Sequence, residues 1–312
     1  MCGSGRVRSV NIIRFFMNYI LLAISIYLIM LYLYSVNSFT FMNKNAQLQS
    51  AVNNGFETNK LQNIRPNLPK KESIGILIPS TTRMMKKPNI STFTLTKHCL
   101  PSITATFQKQ YTYNIYIGVE KNDFLQSQRT VIEKSYERVY IVTVPGHTFT
   151  AATNYIANRA LKDGMDYFVR INDDTVFETF NWTSIAIENL KKLNPPMIGV
   201  VGPICKEGNI AILTQDMVHR THVEIFKYYY PPIFDNLWTD DWITKVYKPL
   251  RSKKLTNWQV KHLIRANGRR YDANRSQESL LKGVIESDKK RLKDYISEIE
   301  KHINNSRYGY VI

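Results

Sequence analysis

The sequence predicts an α/β domain, in which helices flank a mostly parallel β-sheet, preceded by one transmembrane helix. Short apolar segments alternate with helical ones along residues 73–202, and this alternation is typical of parallel sheets covered by helices. The apolar segments show no strict alternation of apolar and polar residues, which indicates strands buried on both faces. Residues 15–36 are almost wholly apolar and are long enough to cross a bilayer as a helix.

The apolar segment at 15–36 predicts an uncleaved signal anchor. A cleavable signal peptide is the alternative, but its apolar region usually spans only about 7–15 residues. Three arginines and no acidic residue precede the segment, so the positive-inside bias places residues 1–14 in the cytosol and the following chain in the lumen. Residues 37–72 are rich in Asn, Gln and Lys, and we expect them to form a solvated stem.

The chain carries a formal net charge of +17, of which +14 would lie in the lumen. Such an excess can indicate nucleic-acid binding. A lumenal chain rarely meets nucleic acid, so we expect anionic nucleotide-sugars, acidic glycans or lipid headgroups as partners. Cys99 and Cys205 would share the oxidising lumen, where they either form a disulfide or remain two buried free thiols.

The predicted lumenal domain spans residues 73–312 and begins with a regular nucleotide-binding half at about 73–203. Its predicted strands are 73–79, 113–119, 139–144, 166–177 and 197–202, and its predicted helices are a segment at 91–108 broken at Pro101, then 150–161 and 183–193. An acceptor half at about 204–275 is less regular and dense in aromatic and charged residues. The helix predicted at 277–303 carries an apolar stripe that we expect to pack on the core.

The chemistry is expected where the strand at 167–171 ends in Asn172-Asp173-Asp174-Thr175. Ligands of open α/β sheets lie at the carboxyl ends of the strands. Adjacent carboxylates repel each other unless a cation shares them, and carboxylate oxygens suit Mg²⁺ and Mn²⁺. The alternative is a polar turn, because Asn and Asp are favoured in turns.

The segment Phe168-Val-Arg-Ile-Asn-Asp-Asp-Thr175, behind an anchor and a stem, resembles the GT-A glycosyltransferases, the nucleotide-sugar-dependent transferases of the Golgi. The helix that contains Asn154 is similar to the stretch that precedes this strand in those enzymes. The resemblance implies a GT-A (Rossmann-like) fold, a nucleotide-diphosphate donor (a UDP-sugar first among them), Mn²⁺ or Mg²⁺, and a Golgi or ER membrane location. Asn172 stands at the first position of the family's Asp-x-Asp element. Metal binding is therefore expected to depend mainly on Asp174, with Asp173 assisting.

Polar residues that follow the first two strands are the candidates for binding the base and ribose of the donor. They are Pro79, Ser80, Thr81, Arg83, Glu120 and Asp123. The resemblance adds Asn154 and Asn172 as donor contacts, and the amide of Asn172 keeps a hydrogen bond to the ribose. The alternative is that these are ordinary polar residues of surface loops.

The acceptor half contributes further candidates. Arg269 and Arg270 offer guanidinium geometry suited to a diphosphate, unless they belong to a solvated basic loop. The resemblance implies a late histidine in the metal shell, and His262 is the nearest match. Asp216 and the basic residues after it are expected to contact the acceptor or a phosphate. The histidine pair at 219 and 222 lacks a third zinc ligand.

An inverting transfer needs a general base that accepts the acceptor's proton. Asp240 and Asp241 are flanked by Trp238 and Trp242, and aromatic walls can stack on a sugar and raise the pKa of a carboxylate by desolvation. The resemblance implies Asp241 as the first candidate for the base and Asp240 as the second. The alternative is that Asp240 caps the following helix.

Two functions from different classes follow. The first is a type II glycosyltransferase with one N-terminal membrane helix. The second is a catalytically silent lumenal module of the same fold that binds a nucleotide or a glycan, which the loss of charge at Asn172 would allow.

Overall fold

The computed structural model describes residues 71–264, 266–268, 270 and 274–308, with side chains described as far as residue 301 in the last helix. The predicted tail at 1–14, the anchor at 15–36 and almost all of the stem at 37–72 lie outside these residues, so they stay predictions. No helix in the described part of the chain is both long enough and apolar enough to cross a membrane. The described residues form one compact unit by their contacts.

The described strands form one eight-stranded sheet in the order β3-β2-β1-β4-β7-β6-β8-β5. Their bounds are Ser73–Pro79 (β1), Thr112–Glu120 (β2), Val139–Val144 (β3), Tyr167–Arg170 (β4), Thr175–Phe177 (β5), Val200–Cys205 (β6), Asp216–His219 (β7) and Ser252–His262 (β8). β7 runs antiparallel to β4 and β6, and β5 runs antiparallel to β8, while the other neighbours are parallel. All described strands except β5 and β7 therefore point the same way, which confirms the mostly parallel sheet.

Helices cover both faces of the sheet. They are a π-helical turn at Leu95–Cys99 that continues as α1 (Leu100–Ala105), then α2 (Phe124–Ser127), α3 (Arg129–Ser135), α4 (Phe149–Lys162), α5 (Trp182–Lys191), α6 (Thr221–Phe226), α7 (Thr239–Val246) and α8 (Glu278–Tyr308). Successive residues of a strand point to opposite faces. Accordingly Ile76 and Ile78 of β1 belong to one core cluster, whereas Leu77 belongs to a second cluster with Trp242. The predicted two-sided burial is confirmed for β1, β2 and β4. It is wrong for β3, an edge strand in which exposed and buried residues alternate in part.

Three details differ from the sequence-based predictions. The helical segment at 91–108 is not broken at Pro101, which lies where the π-helical turn at Leu95–Cys99 passes directly into α1. Proline removes one intrahelical hydrogen bond, and the change from π- to α-helix at this point accommodates it. The stretch at 166–177 contains two strands, β4 and β5; the end of the first strand at the Asn-Asp-Asp turn agrees with the prediction, whereas the second strand was not predicted separately. β6 begins at Val200, three residues later than predicted.

The packing of the described residues tests two further predictions, the state of the two cysteines and the role of the last helix. Cys99 and Cys205 are buried free thiols, which is the second of the two states considered above. The apolar stripe of α8 packs on the core cluster around Trp242 through residues such as Leu281, Leu292 and Ile296. This confirms the structural role that was predicted for the last helix.

Candidate functional site

A cavity of about 390 Å³ opens at the carboxyl ends of β1, β2 and β4. Its lining includes ten of the predicted site residues, namely Pro79, Ser80, Thr81, Arg83, Glu120, Asn172, Asp173, Asp174, His262 and Arg270. β1 lies between β2 and β4 in the sheet, so the loops after these strands meet at one edge. The cavity therefore lies where ligands of open α/β sheets bind.

Asp173 is buried and fully engaged by protein groups. Its Oδ2 accepts a hydrogen bond from the Ser80 hydroxyl at 2.5 Å, and its Oδ1 accepts one from Arg270 Nη2 at 2.8 Å. Arg270 Nη1 also bonds Oδ2, so the guanidinium contacts both oxygens. Burial raises the pKa of the Asp173 carboxyl, and the charge of Arg270 opposes that rise. The carboxylate is thus neutralised by an arginine of its own chain.

Asp174 faces His262 instead. Its Oδ1 lies 2.7 Å from His262 Nε2 and, among the described residues, has no hydrogen-bond partner of good geometry. The pairing of Thr175 with His262 in neighbouring β5 and β8 brings the histidine here. The amide nitrogen of Asn172 lies 3.4 Å from the same Nε2. This arrangement places the late histidine beside the acidic turn.

A buried carboxylate oxygen and an imidazole nitrogen side by side fit two neighbouring ligands of one divalent cation, because oxygen and nitrogen ligands lie about 2.0–2.2 Å from such ions. Within the described residues, no group of three or more His, Cys, Asp and Glu side chains is arranged to hold a metal. A cation here would therefore have Asp174 and His262 as its protein ligands. Mg²⁺ commonly takes its other ligands from water and substrate phosphates.

Arg83 and Glu120 form an ion pair on the cavity wall. Arg83 Nη2 also donates to the carbonyl oxygen of His147 at 2.6 Å, so it links the loops that follow β1, β2 and β3. Its side chain is 40% exposed. This is a guanidinium that a ligand can reach from the solvent side of the cavity.

Two predicted nucleotide contacts do not line the cavity. Asp123 caps α2 by accepting from Leu125 N at 3.0 Å, and it also accepts from Thr82 N at 2.7 Å. It therefore holds the loop after β1. Asn154 accepts from the backbone nitrogens of Tyr229 and Tyr230 at 2.9 and 2.8 Å, so it fixes a buried turn. A third predicted contact, Arg269, lies outside the described residues.

Asp240 and Asp241 also lie outside the cavity lining. Asp240 pairs with Arg170 at 2.7 Å, and Asp241 pairs with Lys245 at 2.6 Å. Burial raises the pKa of the Asp240 carboxyl, whereas Arg170 opposes the rise. The expectation that Asp240 caps the helix is wrong, because the capping position is Trp238 and no side chain makes a cap bond. Asp240 lies instead in the first turn of α7.

A buried arginine that sequence reasoning did not identify connects the acidic turn to α7. Arg170 in β4 is 1% exposed and pairs with Asp216 at 2.9 Å as well as with Asp240. Its Nη1 lies 3.3 Å from the amide oxygen of Asn172, and its guanidinium lies 5.5 Å from the centre of the Tyr230 ring. An arginine within an apolar strand, two residues before the Asn-Asp-Asp turn, was the available signal.

The expectation that Asp216 contacts an acceptor or a phosphate is wrong. Asp216 is completely buried and accepts hydrogen bonds from Tyr229 and Tyr230 at 2.5 and 2.7 Å. His222 is buried as well, between the hydroxyl of Tyr247 and the carbonyl oxygen of Tyr229. Burial lowers the pKa of His222 to about 4. Both side chains belong to the core under α7.

Asp235 and Asn236 are cavity residues that the sequence did not single out. Asp235 Oδ2 accepts a hydrogen bond from Asn274 at 2.9 Å, and its carbonyl oxygen accepts from Thr150 N at 3.0 Å. The second bond fixes the loop against the start of α4. The only sequence signal was their position shortly before the Trp-Thr-Asp-Asp-Trp stretch.

No family model and no curated protein matches the chain. Among solved structures, it is similar to S. aureus TarS 1-349, at 9% identity and a TM-score of 0.45 over 61% of this chain and 60% of that one. It is also similar to glucosyl-3-phosphoglycerate synthase from Mycobacterium tuberculosis in complex with Mg²⁺ and UDP, at 11% identity and a TM-score of 0.40 over 70% and 78%. The chain thus spans about three fifths of the TarS 1-349 structure. Likenesses this distant carry no argument about activity.

Proposed function

We propose that this chain is a GT-A-type glycosyltransferase. It would transfer a sugar from a nucleotide-diphosphate donor, a UDP-sugar in the first instance, to a hydroxyl group of a glycan or glycoconjugate. The observation that carries the proposal is the cavity at the strand ends, where buried carboxylates, an imidazole and the guanidinium groups of Arg83 and Arg270 meet. Such a mixture of charges suits a ligand with several phosphate oxygens and a polar sugar.

The anionic part of the donor is assigned to the basic side of the cavity. Arg270 presents a planar guanidinium, which binds phosphate oxygens in pairs, and Arg83 presents a second one from the opposite loop. Asp174 and His262 would hold a divalent cation, Mn²⁺ or Mg²⁺. When bound, such an ion supplies Lewis-acid stabilisation of the leaving diphosphate.

The nucleoside is assigned to the loops after β1 and β2. Pro79, Ser80 and Thr81 lie at the end of β1 and line the same cavity as Glu120 at the end of β2. The amide of Asn172 keeps a hydrogen-bonding group beside His262. These groups offer both donors and acceptors, which a base and a ribose need.

The base that accepts the acceptor's proton is assigned to Asp235. Glu120 and Asp173 in the cavity lining are paired with Arg83 and Arg270, and Asp174 lies against His262, whereas Asp235 accepts a hydrogen bond from the neutral amide of Asn274. Asp241 and Asp240, the candidates implied by the family resemblance, are paired with Lys245 and Arg170 outside the cavity. A general base must come within hydrogen-bond reach of its proton, so Asp235 is the better placed group.

The predicted anchor completes the proposal as a single-pass type II protein of the Golgi or ER membrane, with this domain in the lumen. The positive-inside pattern of residues 1–36 supports that orientation.

Thermal unfolding with a panel of nucleotide-sugars, with and without Mn²⁺, tests the proposal. A ligand at a hundredfold excess over its dissociation constant stabilises the native state by about 2.7 kcal/mol. We expect a shift with one nucleotide family that grows with Mn²⁺ and is lost in Asp174→Asn. Absence of any shift would contradict the donor assignment. A shift without release of nucleoside diphosphate in the presence of glycan acceptors would favour the silent binding module, and Asn172→Asp is then the variant to assay.

A further inference from the structure

Asp173 is not available as a metal ligand in the donor-free protein. Both of its oxygens bond the guanidinium of Arg270, and Oδ2 also accepts from Ser80. Asp173 is only 2% exposed, so a cation cannot reach it without displacing one of these partners. Of the two adjacent carboxylates, that of Asp174, whose Oδ1 lies beside His262, is therefore the one that a cation can use.

Arg270 is held in this position by several contacts. Its side chain is 11% exposed, and its guanidinium lies 5.7 Å from the centre of the Phe93 ring. Nη1 donates to the carbonyl oxygen of Thr81 at 3.2 Å. Nη2 lies 3.7 Å from Asp174 Oδ2. The guanidinium thus occupies the place between the two carboxylates that a bridging cation would take.

We propose that Arg270 withholds Asp173 from the divalent cation, so that the ion binds weakly to the free enzyme and firmly only together with the nucleotide phosphates. The second of these statements, that the ion binds firmly together with the nucleotide phosphates, rests on the proposed function. With Asp173 paired, the protein supplies Asp174 and His262, whereas Mg²⁺ and Mn²⁺ prefer about six ligands. The donor's phosphate oxygens supply the missing ones, and Arg270 is positioned to pair with the phosphates that arrive.

The charges support the same order of binding. Two adjacent carboxylates without Arg270 would attract a divalent ion strongly even in the absence of a nucleotide. With Arg270 in place, one negative charge is already neutralised and the remaining site repels a further cation through the guanidinium nearby. The free enzyme is therefore protected from binding metal at a site that is empty of substrate.

The test is a Mn²⁺ titration of the full chain in detergent without nucleotide, in which free Mn²⁺ is followed by electron paramagnetic resonance. Loss of an outer-shell hydrogen-bond partner commonly lowers metal affinity by about 10- to 100-fold, and loss of a partner that competes with the metal should raise the affinity on the same scale. We expect Arg270→Gln to bind Mn²⁺ at least about tenfold more tightly than the native chain, because Asp173 becomes a ligand. The double variant Asp173→Asn/Arg270→Gln should return to the weak native affinity.

Arg159→Gln is the matched control, since it removes an arginine from an exposed carboxylate, Asp163, and leaves the cavity unchanged, so its Mn²⁺ affinity should equal that of the native chain. If Arg270→Gln fails to fold cooperatively, Arg270→Lys replaces it. A single ammonium leaves part of the Asp173 carboxylate free, so an intermediate affinity is expected.

Unchanged or weaker Mn²⁺ binding by Arg270→Gln or Arg270→Lys would overturn the inference. So would a double variant that binds as tightly as the single one. In a second titration, in the presence of UDP, the Mn²⁺ affinities of the native chain and of Arg270→Gln should lie within a few fold of each other. A native chain that still binds Mn²⁺ much more weakly than the variant would also contradict the inference. Failure of the proposed function is a separate result, because it appears as absence of nucleotide binding in the donor panel, which the first titration does not contain.

Discussion

Arg170→Met is the substitution whose effect the structure defines most sharply. Arg170 is buried, and it pairs with Asp216 at 2.9 Å and with Asp240 at 2.7 Å. It also donates to the hydroxyl of Tyr230 at 2.6 Å and to the carbonyl oxygen of Thr214 at 2.8 Å. Methionine fills much of the same volume without charge, so the substitution removes the cation that lies beside Asp216 in the core.

Removal of one partner of a buried ion pair costs about 3–5 kcal/mol, because it leaves an uncompensated buried charge. For a domain of this size, each kcal/mol corresponds to roughly 2–4 °C of melting temperature, so a loss of roughly 6–20 °C is expected. Arg159→Met is the matched control. Arg159 is 53% exposed and pairs with Asp163 on the surface of α4, and exposed pairs of this kind contribute only about 0.3–0.5 kcal/mol.

The assay is urea unfolding, followed by the fluorescence of the buried tryptophans. Asp216→Asn added to Arg170→Met should recover part of the lost free energy of unfolding, since the second change neutralises the stranded carboxylate. A loss below about 1 kcal/mol for Arg170→Met would refute the reasoning. A double variant that is less stable than the single one would refute it as well.

Three further predictions concern a core histidine, a sheet glycine and the proposed base. Burial holds the pKa of His222 at about 4, below its usual 6.5, so as pH falls the unfolded chain gains a proton before the folded one. The free energy of unfolding should therefore fall by up to about 3 kcal/mol between pH 6.5 and pH 4. Urea titrations at several pH values should show a shallower fall for His222→Gln, and an equal fall in both proteins would contradict this. Gly202→Ala should destabilise the sheet, because a Cβ at this position would lie 2.4 Å from the carbonyl oxygen of Gln215. An unchanged melting temperature would show that the two chain segments can move apart without loss of stability. Asp235→Asn should lower turnover, measured by nucleoside diphosphate release, by about 10²–10⁴-fold while donor binding is retained. A larger loss of turnover in Asp241→Asn than in Asp235→Asn would instead favour Asp241 as the base.

The first half of the fold could be predicted because each of its strands is marked by a local run of mainly apolar residues. β1 and β3 have the predicted bounds, and β2 differs by one residue at each end. β1 and β2 are apolar runs buried on both faces, and β3 at the sheet edge is a mainly apolar run with Tyr140 and Thr143 exposed. β7 and β8 could not be predicted in the same way. β8 is rich in lysine, and only Leu255, Trp258 and Val260 are buried in it, so its place in the sheet depends on β6 and β5 beside it.

The candidate site was predicted well where the strand ends determine it. The Asn-Asp-Asp turn, the loop after β1 and His262 do meet in one cavity. The partners of each charged side chain could not be predicted, because they come from distant parts of the chain. Arg170 pairs with Asp216 and Asp240, which lie 46 and 70 residues away along the chain, and these long-range pairs hold Asp216 in the core and Asp240 outside the cavity lining.

The central claim is that this cavity binds a nucleoside diphosphate against the basic groups at the strand ends. A crystal structure of the chain with UDP and Mn²⁺ tests it most directly. We predict UDP in the cavity, with its diphosphate between Arg270 and a Mn²⁺ ion held by Asp174 and His262. A cavity that remains empty at saturating UDP, or UDP bound elsewhere on the domain, would contradict the claim.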